Sequence, residues 1–335
     1  MVKKPITFLF ILISACLMQK AALADDFYKE ANVIGGYSDN EQWIGKKGNL
    51  KNSLGFEYYK KFSDEYGDYL TFDLQTRIAY DSEENSQDAF GIEIHNAWLE
   101  YKLGLGESIK FGHFDPAFGL EPVLDTHGTL LQTLAHKNIG FKKDWGISYK
   151  GLLGDYDYQL AAQLGSGMSI KREDNSFLMT GRISTPNSND TQVGLSFLYG
   201  NVLQSEQSWT IPATDLISDK SIRKRRVGLD FQCPLGLFDF KTEVAAGDND
   251  GTTVAGALAE LGYTIPQEQN LRIKMQMIYW SNDWEKKYAR DITLSPVIEY
   301  KANSTTKLRL GYFHDIFSRG EEDRIVVLQL YCFGF

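Results

Sequence analysis

Cysteine, proline and long apolar runs are all scarce in this chain. Three cysteines stand among 335 residues, and one of them, Cys16, lies in an N-terminal stretch that reads as a leader. Cys233 and Cys332 are too few for a disulfide framework, and neither sits in the C-x-x-C spacing of a metal site. No C-x-x-C-H haem attachment occurs. Beyond the leader no apolar run approaches the roughly 20 residues of a spanning helix, so a helical membrane protein is excluded. Helical periodicity is missing too. No G-x-S-x-G, H-E-x-x-H or phosphate-loop pattern is present, and His95, His113, His127, His136 and His314 fall in no catalytic motif. A net charge of −9 argues against a general nucleic-acid binder.

The leader has a positive MVKKP, an apolar ITFLFILISACLM and a small-x-small site at Ala22-Leu23-Ala24. This predicts a secretory signal over 1–24 and one mature domain over 25–335. Ile13-Ser14-Ala15-Cys16 resembles a lipobox, but lipidation there would leave the better site after Ala24 unused.

What the mature chain does have is aromatic rings and alternation. Tyr (18) and Phe (20) are abundant against 8 prolines, a balance that suits many strands with few irregular linkers. In DYLTFDLQTRIAYD, Leu70, Phe72, Leu74, Ile78 and Tyr80 share one face, and Thr71, Asp73, Gln75, Arg77 and Ala79 the other. DYDYQLAAQL from Asp155 and NLRIKMQMIYW from Asn270 divide in the same way, which is the period-two strand signal. Sixteen strands are predicted, over 28–37, 49–60, 68–80, 89–103, 107–114, 138–150, 155–165, 175–184, 190–200, 222–232, 236–247, 252–264, 269–281, 288–300, 305–316 and 323–335.

The connections alternate in length. Short turns such as SDEYG, LLG, PLG and ANSTT alternate with longer polar segments at 38–48, 81–88, 114–137, 166–174, 201–221 and 282–287. A closed transmembrane antiparallel β-barrel of about 16 strands explains both features. Its lipid-facing residues alternate with polar ones, so a mean hydropathy of −0.31 is no objection. Closure also leaves no strand edge in the membrane. A secreted β-sandwich would alternate as well, but has no reason to segregate turn lengths by parity.

Two segments sharpen the expectation. The final strand ends YCFGF, with Ile325, Val327, Tyr331, Phe333 and Phe335 on one face, assigned to lipid. This ending resembles the C-terminal signature of bacterial outer-membrane proteins, which implies that Tyr331, Phe333 and Phe335 form a signal read by the barrel-assembly machinery. Gln329 falls on that same face while Val326, Leu328 and Leu330 fall opposite, so a subunit contact or a bulge is expected there. The second segment, Gly112–Asn138, is long and apolar for an external loop. Folding into the lumen would bury Phe118, Leu120, Leu130, Leu131 and Leu134 and narrow a channel.

Within that segment, Gly112-x3-Pro116-x-Phe118-Gly119-Leu120-Glu121 resembles the loop-three region of the phosphate-selective porin O and P family. The resemblance implies a sixteen-stranded, usually trimeric channel for anions. The family's arginine ladder and loop lysines find no residue-by-residue match. The loop carries Asp115, Glu121, Asp125, His127, His136 and Lys137. The histidines are conceivable metal ligands, though a lone loop histidine is more often filler.

On the polar faces Arg77, Lys110, Lys142, Lys150, Arg226, Arg272, Lys274, Lys307 and Arg309 oppose Asp73, Glu93, Asp144, Asp157, Asp230, Asp239, Glu243 and Glu299. Most should pair across neighbouring strands. The expected eyelet sets Asp115, Glu121 and Asp125 against Lys110, Lys142, Arg272, Lys274 and Arg309, with a weak anion preference. The run Lys220–Arg226 is either a solvated strand end or a contact for lipopolysaccharide phosphates.

The function expected is a passive outer-membrane channel for small hydrophilic, charged solutes, trimeric, with lipid and lipopolysaccharide around it. No cofactor, metal or catalytic residue is assigned. The alternatives are a sheath for a multihaem cytochrome, which a long inward loop disfavours, and an outer-membrane hydrolase.

Overall fold

A computed structural model describes residues 27–40, 42–48, 50–81, 89–104, 106–124, 128–172, 174–186, 188–205, 216–286, 289–317 and 320–334. Its wall is a single antiparallel sheet of sixteen long strands closed on itself. They are β1 (Phe27–Ser38), β2 (Leu50–Asp64), β3 (Gly67–Tyr80), β4 (Phe90–Gly104), β5 (Glu107–Phe114), β6 (Asp144–Leu153), β7 (Tyr156–Gln163) and β8 (Phe177–Ser184). The second half comprises β9 (Gln192–Ser205), β10 (Leu216–Leu235), β11 (Phe238–Asn249), β12 (Thr252–Thr264), β13 (Leu271–Ser281), β14 (Arg290–Lys301), β15 (Thr306–Phe317) and β16 (Glu322–Phe333). Each strand pairs with its sequence neighbours, and β1 closes the ring on β16 from Glu30↔Phe333 to Ser38↔Ile325. Two-residue pairings at Trp43–Ile44 and Lys46–Lys47 lean on this seam.

The wall is polar inside and apolar outside. On β3, Thr71, Asp73, Gln75, Arg77 and Ala79 are buried while Ile78 is 57 % exposed. A water-soluble sheet reverses this arrangement, burying its apolar face; a barrel in lipid requires it. Rings gather on the outer face near both rims. Tyr58, Phe62, Tyr101, Tyr156 and Phe238 stand at the short-turn end, and Tyr37, Trp43, Phe90, Tyr199 and Trp284 at the other. Such paired girdles suit the two interfaces of a bilayer. Cys233 and Cys332 form no disulfide.

Connections 65–66, 105–106, 154–155, 185–191, 236–237, 265–270 and 302–305 lie on one rim, and the longer ones on the other, with the tight 250–251 turn and the short 318–321 as exceptions. Three expectations change. The sixth strand starts at Asp144, not at 138, because Ile139 and Phe141 pack inward as part of the loop. Part of segment 201–221 is strand, since β9 continues to Ser205 and β10 begins at Leu216, while 206–215 lies outside the described residues.

The last strand also faces the other way. Val326 (46 % exposed) and Leu328 (58 %) point out, while Val327, Gln329 and Tyr331 are buried inside. Phe333 follows their parity. Gln329 is no anomaly on a lipid face: its amide donates to Asn32 Oδ1 at 2.7 Å and to the Gly128 carbonyl at 2.8 Å. Alternation stops at Gly334, whose φ is +81°. Phe335 lies outside the described residues.

Candidate channel constriction

Connection 115–143 enters the lumen from the end of β5 and lies along the inner wall. Its backbone is fastened by wall side chains, which satisfies groups that a buried loop would otherwise leave unpaired. The amide of Ala117 donates to Thr180 Oγ1, that of Gly119 to Ser196 Oγ and that of Leu120 to Glu243 Oε2, each at 3.0 Å. Lys224 Nζ donates to the Ile139 carbonyl at 2.6 Å, and Gln276 Nε2 to the Gln132 carbonyl at 2.9 Å. The Gly128 carbonyl accepts from both Arg309 (2.6 Å) and Gln329.

Apolar residues fill the space between. Phe118, Ile139 and Phe141 pack with Leu178, Leu198 and Val202. Leu130 and Leu131 pack with Ile34, Phe313 and Val327. Leu120 and Leu134 pack with Val254, Leu258, Ile278 and Trp280. Burying each such side chain contributes about 1.5–3 kcal/mol, so the loop is a packed element of the barrel. It contains a 3-10 turn at Glu121–Val123 and a one-turn helix, α1 (Ala135–Asn138).

The charges are arranged differently from the expected opposition across an eyelet. Glu121 is buried within the loop, 3.6 Å from Lys142, and accepts from Thr133 Oγ1. Lys142 belongs to the loop itself, ahead of β6. Burial lowers its pKa to about 8, and burial raises that of Glu121. Asp115 pairs with Lys143 at 2.6 Å, and Lys137 with Asp291 at 3.5 Å. Pro116 and Phe118 are buried. His136 has its pKa lowered to about 3, by burial first and by Lys137 and Lys142 next. Asp125 and His127 lie outside the described residues. Among those described, no three His, Cys, Asp or Glu side chains converge as metal ligands.

On the wall, neighbours neutralise one another. Arg77 meets Glu93 at 2.6 Å, Arg182 meets Asp230 at 2.6 Å, and Lys150 meets Glu100. Lys110 sits 3.6 Å from Glu100 and 4.0 Å above the Trp98 ring. Arg309 is 5 % exposed and bound to Glu299 at 2.5 Å, and it anchors the loop at the edge of the lumen.

Arg272 and Lys274 do line a cavity of about 440 Å³ between the loop and the wall. Its charged lining is Lys241, Arg272, Lys274, Lys307 and Arg309 against Glu57, Glu260 and Glu299. Arg272 reaches Asp239, Lys241 meets Glu260 at 2.8 Å, and Lys274 lies 3.8 Å from Glu299. The Asp239 carboxylate crosses over Gly262, where any β-carbon would collide with it at 2.2 Å. Leu120, Leu124, Leu131, Leu258, Tyr331 and Phe333 supply the cavity's apolar side.

Sequence reasoning singled out neither Lys241 and Glu260 nor the Gly128 carbonyl. The first two occupy inward positions of alternating strands, so a register argument could have found them. A backbone carbonyl leaves no sequence signal.

No protein-family model matches this chain, and no curated protein sequence does. Solved structures share its fold. An anion-selective porin from Comamonas acidovorans aligns over 92 % of this chain and 98 % of its own, with a TM-score of 0.64 and 8 % identity. The trimer form of OmpT, an outer membrane protein of Vibrio cholerae, gives 0.60 at 10 % identity over 92 % and 98 %. The outer membrane channel DcaP of Acinetobacter baumannii gives 0.56 at 15 % identity over 92 % and 95 %.

Proposed function

We propose that the chain is an outer-membrane porin, a water-filled channel that passes small hydrophilic solutes by sieving and electrostatics, with no covalent step. The observation that carries this is the polar, ion-paired interior around the 440 Å³ cavity, narrowed by a packed loop inside a barrel with an apolar exterior. The likeness to channel-forming barrels supports it. A weak anion preference follows from the cavity lining, in which five cationic side chains stand against three carboxylates. Residues 1–24 act as a secretory signal, and the barrel-assembly machinery inserts the mature chain among lipid and lipopolysaccharide. A homotrimer is the assembly we favour, by analogy with the trimer form of OmpT. Loop 115–143 occupies the space that a cytochrome would need, which weighs against the sheath reading.

Planar-bilayer recording in a salt gradient tests the proposal. The expected result is discrete ohmic steps and a reversal potential displaced toward anions, moved toward cations by Arg272→Gln with Lys274→Gln. Absence of steps from folded protein would contradict the channel. An unmoved reversal potential would contradict only the charge assignment.

A further inference from the structure

One pair of charges at the short-turn rim of the lumen is set against itself, the exposed Lys301 and the half-buried Lys307. Lys301, at the end of β14, and Lys307, at the start of β15, are direct cross-strand partners. Both share the inward parity of Glu299 and Arg309, which are partners in the same ladder. Like charges directly opposite one another on a sheet are destabilising. The other cations lining the cavity each have an ion-pair partner: Lys241 has Glu260, Arg272 has Asp239, and Lys274 and Arg309 share Glu299. Among the described residues, neither Lys301 nor Lys307 makes an ion pair. The nearest acid along the strand, Glu299, is already shared by Arg309 at 2.5 Å and Lys274 at 3.8 Å. Glu57 lines the same cavity from β2, which is separated from β15 by β16 and β1.

The neighbours of this pair are of two kinds. Ser304 and Thr305, in the turn joining β14 to β15, line the cavity with hydroxyl groups beside Lys307. Tyr331 is the cross-strand partner of Lys307 on β16, and Phe333 follows it on the same face. Phe333 is held by the Tyr28 ring, stacked at 5.7 Å. The loop's Leu124 and Leu131 complete an apolar side. Lys307 feels Glu299 only beyond ion-pair distance, so a cation pair with no ion-pair partner among the described residues borders a surface of rings and leucines.

We propose that this end of the lumen is a binding subsite for small organic carboxylates with an aromatic or other apolar body. Lys301 and Lys307 hold the carboxylate, relieving their mutual repulsion, and Phe333 and Leu124 receive the body. A fully hydrated inorganic anion would satisfy only the lysines. A neutral aromatic would leave them repelling each other. The inference rests on the channel reading for its transport consequence, but the binding itself does not.

The test uses the detergent-solubilised, folded protein with benzoate as probe, and acetate, inorganic phosphate and benzyl alcohol as comparators. Binding is read by titration and by saturation transfer to the benzoate ring protons. Benzoate should bind more tightly than each comparator. Lys301→Gln with Lys307→Gln should weaken benzoate binding by about tenfold or more, the usual scale of losing charged hydrogen bonds. Removing a repulsive pair leaves folding intact, and Lys60→Gln with Lys61→Gln at another part of the same rim should change nothing. Equal binding of acetate or phosphate would overturn the apolar half of the proposal. Benzoate binding that survives the double lysine variant would overturn the site. Conductance measured on the same preparation separates the two readings. A conducting protein that ignores benzoate refutes this inference alone, and a benzoate-binding protein that does not conduct refutes the channel alone.

Discussion

Replacing Arg309 with methionine should undock the loop while leaving the barrel closed. The guanidinium serves Glu299 at 2.5 Å, the Gly128 carbonyl at 2.6 Å and Gln329 Oε1 at 2.9 Å. The side chain is 5 % exposed, so the pair is largely shielded from bulk solvent. Glu299 would keep only Lys274, at 3.8 Å. Gly128 would keep the Gln329 amide at 2.8 Å, so the larger loss falls on the carboxylate. Breaking a buried ion pair from one side costs about 3–5 kcal/mol. The strand ladders do not depend on Arg309, so the cost should appear as local opening of residues 128–134. At 1.4 kcal/mol per factor of ten, amide exchange there should accelerate by roughly two to three and a half orders of magnitude. Arg309→Met combined with Glu299→Leu removes both charges and should recover most of the loss. Hydrogen exchange read by mass spectrometry gives the comparison. Unchanged exchange in the single variant, or a double variant worse than the single, would refute the reasoning.

Gly128→Ala should displace the same loop for a steric reason, because a β-carbon there would sit 2.2 Å from Tyr331 at a φ of +61°; a rise in single-channel conductance checks it. Acid should loosen the loop through His136, whose proton is taken near pH 6.5 when unfolded but only near 3 when folded. Between those values the unfolded state binds more protons, so docking is complete above about pH 6.5 and weakens as pH falls through the window. Exchange of loop amides at pH 7 and 4.5 measures this, and His136→Gln should flatten the dependence. If Tyr331, Phe333 and Phe335 form the assembly signal that the sequence suggests, deleting Phe335 should leave an unfolded species in place of a heat-modifiable barrel; a normal barrel yield on a gel would count against that signal.

Alternation made the wall legible because each strand has one face toward lipid and one toward polar contents. Where that contrast fails, so does the reading. On β16 the inward residues Val327 and Tyr331 meet the loop instead of water, so both faces are apolar and the parity could be taken either way. Gln329 was the visible clue, since a side chain that must donate twice belongs inside. Ile139 and Phe141 deceived for the same reason: they alternate like a strand but pack as loop against Leu178 and Leu198. Charge signs were readable and partners were not. Glu121 and Lys142 were set on opposite sides of an opening, yet the loop's return brings them 3.6 Å apart. Lys301 and Lys307 show the reverse case, where register alone exposes a conflict that composition hides.

The most direct test of the account is single-channel conductance before and after removal of residues 117–134. That deletion takes away Phe118, Leu120, Leu130, Leu131 and Leu134, which pack the loop onto the inner wall. If the loop sets the narrowest section of a water-filled pore, the folded variant should conduct several-fold more than the full chain. A heat-modifiable barrel whose conductance is unchanged by the deletion would show that the loop does not constrict the path, and the proposed mechanism would fall.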